Sequence, residues 1–225
     1  MRVRAAIFDV DGTLIDSNQA HAQAWSDAFA AEGHTIPAEQ VLPLVGMGGD
    51  KLLPALVRIS KDSPAGKRLS ERRSAIFSER FLPALQPFPG VAELLKRLHS
   101  AGLLIAVASS SEPDQLRGLL QRTGVPELFE EATSAGDARQ SKPSPDILHA
   151  ALRRCHAAPA EAVLTGDTAY DVQAGRDAGV RVIGVRCGGW SDEGLFGAIA
   201  IFDGPADLLA HLDQTPFASL ARRAR

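Results

Sequence analysis

Two acidic residues, Asp9 and Asp11, stand two positions apart directly after the short apolar run Ala5-Ala6-Ile7-Phe8, and Gly12 and Thr13 follow them. A run of this kind reads as a buried strand, and the Gly-Thr pair as the turn that ends it. In extended backbone, residues i and i+2 point to the same side. The two carboxylates are therefore expected to face one spot, with Val10 turned away. Like charges held that close repel, and one keeps its proton unless a cation lies between them. The pattern implies a bound divalent metal, a shared proton, or both. A plain polar turn with Asp as a turn residue fits the same letters.

Further chemistry-bearing groups recur where apolar runs end. Ser109-Ser110-Ser111 follow Leu103–Ala108, and Gly166-Asp167 follow Ala162–Thr165, with Asp171 one helical turn later. Lys142 stands between them, ahead of Pro143-Ser144-Pro145. Each also has a bland reading: the serines as a helix cap, Lys142 as a surface lysine, Asp167 as an N-cap. Together they form a chemically complete set. Asp9 can be a carboxylate nucleophile. Asp11 can give a proton to a leaving oxygen and later take one from water. Asp9, Asp167 and Asp171 offer oxygen ligands of the kind that suits Mg²⁺. Ser109 and nearby backbone N–H groups can bind phosphate oxygens, and Lys142 adds positive charge for an anionic transition state. Metal and lysine would neutralise the repulsion between an anionic nucleophile and an anionic phosphate.

The elements that must position these groups are legible in outline. Asp16 or Ser17 can cap a helix that carries Ala20, Ala24, Trp25, Ala28, Phe29 and Ala31 and ends at Gly33. Pro37–Val45 reads as a short helix, Gly46–Gly49 as a flexible turn, and Asp50–Ile59 as a helix kinked or delayed by Pro54. Lys61–Gly66 reads as a polar loop and Leu69–Leu82 as a further helix. From Phe88 onward, helices alternate with strands at Leu103–Ala108, Glu131–Ser134, Ala162–Thr165, Arg181–Val185 and Ile199–Phe202, with Ser111 as N-cap of a helix that has Pro113 near its start. The expected fold is α/β, a doubly wound (Rossmann-like) parallel sheet over residues 1–16 and 87–225, with a small all-helical cap of residues 17–86 inserted after the first strand. Ligands bind such sheets at the strands' carboxyl ends. A lobe on two linkers, near Leu14–Ser17 and Gln86–Pro89, can open and close over that place.

The 225 residues suffice for one large domain with an appendage, and the formal net charge of −3 with interspersed signs argues against nucleic acid as a partner. No apolar run approaches the ~20 residues of a membrane span, and the N-terminus shows no signal-peptide pattern. Cys155 and Cys187 are far apart and expected to be reduced thiols. The expectation is a cytoplasmic protein, monomer or homodimer, acting on a small molecule. The segment Ala218–Arg225, with Arg222, Arg223 and Arg225, reads as a solvated tail.

The order D-V-D-G-T, a strand ending in serine, K-P, and G-D-x-x-x-D closely resembles the haloacid dehalogenase superfamily of phosphotransferases over essentially the whole chain. That resemblance implies that Asp9 is phosphorylated and that Asp11 is the general acid/base, its backbone carbonyl also on Mg²⁺. It implies that Thr13 orients the first loop, that Ser109, with Ser110 beside it, holds the phosphoryl group, and that Lys142 bridges Asp9 and phosphate. Asp167 would bind Mg²⁺ directly, and Asp171 directly or through water. The dehalogenases and phosphonoacetaldehyde hydrolases of the superfamily lack an Asp at the place of Asp11, so its presence fits ester chemistry. Met47-Gly48-Gly49-Asp50-Lys51 resembles the M-G-x-x-K loop whose lysine forms a Schiff base in phosphonoacetaldehyde hydrolases; here Lys51 is expected to grip an anionic leaving group. Asp16–Trp25 resembles the cap entry of phosphoglycolate phosphatases and β-phosphoglucomutases, with His21 placed to assist at the hinge. The expected activity is a Mg²⁺-dependent phosphomonoesterase working through an aspartyl-phosphate. The alternatives are a β-phosphoglucomutase, a phosphonoacetaldehyde hydrolase, and a binding protein that keeps the fold without the chemistry.

Overall fold

The computed structural model describes residues 2–218. The basic tail expected at the C-terminus lies outside the described residues from position 219 on. The first strand is β1 (Ala5–Phe8), all four residues buried. Four helices follow: α1 (Asn18–Ala31), α2 (Ala38–Val41), α3 (Gly49–Val57) and α4 (Pro64–Ile76). The chain then runs α5 (Val91–Ser100), β2 (Leu104–Ala108), α6 (Pro113–Arg122), β3 (Glu131–Thr133), α7 (Asp146–Arg154), β4 (Ala162–Gly166), α8 (Ala169–Ala178), β5 (Arg181–Val185), β6 (Ala200–Phe202) and α9 (Pro205–Ala210).

The six strands form one parallel sheet in the order β3-β2-β1-β4-β5-β6. Alternation along each strand feeds two cores, because successive side chains leave opposite faces. Ala6, Phe8, Ile105, Val107 and Val163 join the leucines of α5, α6 and α9 on one side. Ala5, Ile7, Ala106, Ala108, Ala162 and Leu164 join Ile147, Leu148, Val172 and Ala174 of α7 and α8 on the other. The chain leaves β1 toward β2 and later returns to β1's other side with β4, so the strand order reverses beside β1. Such a switch point opens a crevice at the carboxyl ends of the strands, and Asp9 stands there.

Helices α1 to α4 have an apolar cluster of their own, built on Trp25, Phe29, Val41, Leu52, Leu53 and Leu69. The two segments joining these helices to the sheet run side by side: Asp16 N–H donates to Gln86 O at 3.1 Å and Phe88 N–H to Leu14 O at 2.9 Å. No helix among the described residues is long and apolar enough to cross a membrane, and Cys155 and Cys187 are free.

Several local expectations need correction. The polar stretch Lys61–Gly66 is not all loop: Ser63 Oγ accepts from Gly66 N–H at 3.1 Å, Pro64 occupies the first turn, and α4 starts there. Pro54 lies inside α3 without ending it. The helix expected over Pro37–Val45 is one turn of α2 followed by a tighter turn at Leu42–Leu44. Neither Ser17 nor Ser111 caps its helix; no side-chain cap bond forms at the start of α1, and Glu112 rather than Ser111 precedes α6.

Phe29 is fully buried in the helical cluster, whereas Phe196 is 87% exposed. Phe29→Ala is expected to lower unfolding free energy by about 3–5 kcal/mol, and Phe196→Ala to change it by no more than about 0.5 kcal/mol. Urea unfolding of the two variants checks the contrast.

Candidate active site

The end of β1 sets the site. β1 ends at Phe8, Asp9 N–H still donates to Thr165 O of β4 at 2.9 Å, and Asp9 and Asp11 line one shared cavity. Both acids line that one cavity, with different hydrogen-bond partners. Gly12 makes the turn with φ +75°, and a Cβ there would lie 2.2 Å from both Asn18 Nδ2 and Asp167 Oδ2. The turn thus needs glycine for its conformation and for the close approach of two polar groups.

Asp9 joins a buried cluster with Asp167 and Asp171; one oxygen of each lies within 4.8 Å of the others. Lys142, also buried, closes the cluster with its Nζ 2.5 Å from Asp9 Oδ1 and 2.7 Å from Asp171 Oδ1. Asp171 is divided between two duties. Its Oδ2 accepts from Thr168 N–H and hydroxyl, completing the capping box of α8. Its Oδ1 is buried and faces the Lys142 ammonium. Asp167 accepts from Thr13 Oγ1 and from Asn18 Nδ2, each at 3.0 Å. Asn18 also donates to Gly188 O at 2.9 Å, tying α1 to the loop after β5.

Burial and the neighbouring carboxylates of Asp171 and Asp11 push Asp9 up to about 7 against the pull of Lys142. Burial, with Asp9 and Asp171 beside it, raises Asp167 well above the ordinary carboxylate value. Lys142 is held protonated: burial opposes its charge, but Asp171 and Asp9 outweigh burial and raise its pKa. Three carboxylates facing one ammonium leave excess negative charge in a dry place. An all-oxygen donor set of three carboxylates sharing one ammonium fits a small hard cation of the Mg²⁺ type.

Asp11 faces elsewhere. Its Oδ1 accepts from Ser17 Oγ and from His21 Nε2, each at 2.6 Å, and its Oδ2 from Ser111 Oγ at 2.7 Å. Burial alone would raise its pKa; His21 and the two serine hydroxyls outweigh burial and hold it below the ordinary carboxylate value. Both misassigned helix caps are explained here, since Ser17 and Ser111 serve Asp11. His21 stacks on Phe77 with ring centroids 4.0 Å apart. Its Nδ1 faces Arg73. A guanidinium can only donate, so Nδ1 accepts and the ring proton sits on Nε2, toward Asp11. Burial lowers the His21 pKa, and the Arg73 charge acts in the same direction.

The cavity enclosed between helices and sheet is about 60 Å³, lined on the sheet side by Asp9, Asp11, Ser110 and Ser111 and on the helical side by His21, Trp25, Lys61, Ser70 and Arg73. Ser110 Oγ is buried there without a hydrogen-bond partner. Ser109 lies behind it, accepting from Ser111 N–H at 3.0 Å. Lys51 does not line the cavity; its ammonium reaches Gln140 Oε1 at 3.2 Å. The cations present are Lys61, paired with Glu112 at 2.8 Å, and Arg73, which lies over the rings of Trp25 and Phe77 and donates to Gln115 at 2.6 Å. The motifs had not pointed to Asn18, Lys61 or Arg73. Asn18 directly follows the D-S pair of the cap entry, whereas Arg73 sits in a charged helical run with no local signal.

A doubly wound sheet with acids and a lysine at its switch point defines a class of hydrolytic and phosphoryl-transfer enzymes. The model of the family described as haloacid dehalogenase-like hydrolase matches residues 6–185, and the chain belongs to that family. It is 29% identical over 218 residues to the N-acetylmuramic acid 6-phosphate phosphatase of Pseudomonas aeruginosa, covering 95% of this chain and 96% of that one. It is 31% identical over 227 residues to the protein CbbY of Cereibacter sphaeroides, covering 95% and 98%. The crystal structure of a hydrolase from Pseudomonas syringae superposes with a TM-score of 0.88 at 30% identity, covering 94% of this chain and 98% of that one.

The raised pKa of Asp9 has a consequence for stability. Metal-free folded protein keeps a proton there that the unfolded chain releases near 3.8. Stability from this group is therefore lost as pH rises from 3.8 toward about 7. A bound divalent cation opposes that loss. Thermal unfolding at about pH 5 and about pH 8, with chelator or with one fixed Mg²⁺ concentration, is expected to show a larger Mg²⁺-dependent rise in Tm at the higher pH, where a concentration a hundredfold above Kd stabilises the fold by about 2.7 kcal/mol. Equal or absent shifts at both values would contradict the cation site.

Proposed function

We propose that the chain is a Mg²⁺-dependent phosphomonoesterase that hydrolyses a small phosphorylated metabolite through an aspartyl-phosphate on Asp9. The observation that carries this reading is the buried Asp9–Asp167–Asp171 cluster with Lys142 spanning two of its members. Asp9, Asp167 and Asp171 would hold the metal, with the Asp11 carbonyl as a further ligand; when bound, the ion supplies charge neutralisation at the phosphoryl oxygens.

Asp9 is the nucleophile. Lys142 holds the Asp9 oxygen in place and offsets its charge as an anionic phosphate approaches. Ser110, with an unpartnered hydroxyl in the cavity, donates to a phosphoryl oxygen, and Ser109 braces that loop through Ser111. Asp11, ionised while its three donors hold it, takes up a proton as the phosphate ester binds, passes it to the leaving oxygen and regains one from the hydrolytic water. His21 orients Asp11 and has its proton placed by Arg73. Thr13 and Asn18 keep Asp167 aimed at the metal.

Residues 17–86 act as a cap hinged at the paired linkers. The helical wall of the cavity, which carries Trp25, Lys61 and Arg73, would contact the leaving group, and lifting of the cap would exchange substrate and product. Arg73 and Lys61, not Lys51, are the cap cations in reach of that group.

Release of inorganic phosphate from an aryl phosphate and a panel of sugar and hydroxy-acid phosphates checks the reading. Activity is expected to require Mg²⁺ and to fall by at least about a thousandfold in Asp9→Asn. No release from any ester would refute the hydrolase. Interconversion of β-glucose 1-phosphate and glucose 6-phosphate faster than their hydrolysis would replace it with the mutase.

A further inference from the structure

The Met47–Lys51 segment, which its lysine made conspicuous, grips the core by other means. Gly48 N–H donates to Ser141 Oγ at 2.9 Å. Ser141 N–H donates to Asp50 Oδ2 at 3.2 Å. The start of α3 thus holds Ser141 by its side chain and its backbone at once, and Ser141 immediately precedes Lys142. Contact is close enough to require glycine, since a Cβ on Gly48 would stand 2.7 Å from Ser141 Cβ. Lys51 adds its bond to Gln140, one residue further back. Neither Asp50 nor Ser141 lines the catalytic cavity.

Lys142 has a demanding task. Its ammonium must meet Asp9 and Asp171 together, from a long flexible side chain delivered by a loop that belongs to no strand or helix. Small displacements of such a group cost rate steeply. A double hold on the preceding residue fixes the backbone from which Lys142 extends, and the hold comes from the cap.

We propose that Gly48 and Asp50 are positioning residues that clamp Ser141 when the cap closes and thereby set Lys142 against Asp9. Lifting the cap opens the clamp and leaves the lysine loop unbraced, so the charge arrangement is complete only while the cap is down. The proposal rests on the phosphatase reading for the role of Lys142 and adds how cap closure is coupled to it.

The test uses the full chain with Asp50→Ala, Asp50→Asn and Ser141→Ala. Asparagine keeps an acceptor oxygen for the Ser141 N–H, and alanine does not. With para-nitrophenyl phosphate and Mg²⁺, Asp50→Ala and Ser141→Ala are expected to lower kcat by about 10- to 100-fold with KM changed by less than about threefold, while Asp50→Asn stays near wild type. Amide hydrogen exchange at Ser141, measured without substrate, is expected to be slow in wild type and Asp50→Asn and fast in Asp50→Ala. Wild-type kcat in Asp50→Ala, or equal impairment of Asp50→Ala and Asp50→Asn, overturns the clamp while leaving the hydrolase standing. If wild type turns over no ester, the phosphatase reading fails, and the exchange data decide the clamp alone: equal exchange at Ser141 in wild type and Asp50→Ala overturns it.

Discussion

Three buried carboxylates around one ammonium are the constraint on which the rest of this structure depends. Each charge alone would be strongly disfavoured away from water, and Lys142 balances only part of what Asp9, Asp167 and Asp171 present. The surroundings share the work. Thr168 satisfies one oxygen of Asp171, and Thr13 and Asn18 satisfy Asp167. The uncompensated remainder is a region of negative charge that fits a cation. Stability and chemistry are in tension here, as is common where a fold holds perturbed acids in a cleft.

The fold resolves that tension by separation. Parallel strands bring Asp9 and Asp167 to neighbouring ends of β1 and β4 although they are far apart in the sequence. The turn at Gly12 then sends Asp11 to a different set of partners, Ser17, His21 and Ser111. Two acids two residues apart thus acquire opposite characters, one raised by burial and carboxylates, the other lowered by donors. Those donors include His21 of α1, the first of the four inserted helices, so Asp11 is tied to the helical wall of the cavity. Such wiring suits an HAD-family phosphatase, in which water must be kept out during one step and used in the next.

Much of this was legible in the sequence, because the informative residues sit at the ends of short apolar runs. β1, β2, β4 and β5 lie within a residue or two of the expected runs, and the end of a strand fixes where the next residues stand. Legibility failed where a role depends on tertiary approach. Asn18 meets Asp167 across 149 positions and Arg73 meets His21 across 52; no local pattern encodes either meeting. Ser17 and Ser111 look like helix caps because serine before a helix usually is one, yet a buried carboxylate competes for both hydroxyls. The M-G-x-x-K loop drew attention to Lys51, but letters do not say which way the first turn of α3 faces. It faces Gln140 and Ser141, and the cavity takes its cations from Lys61 and Arg73 instead.

The central claim is that Asp9 becomes covalently phosphorylated in the course of turnover. Acid quench of the enzyme during steady-state hydrolysis, followed by peptide mass spectrometry, tests it most directly. The account predicts one phosphoryl group on the peptide that carries Asp9, present only with Mg²⁺. Turnover with the phosphoryl group on another residue, or with no covalent phosphoenzyme under conditions where chemical breakdown limits the rate, would contradict it.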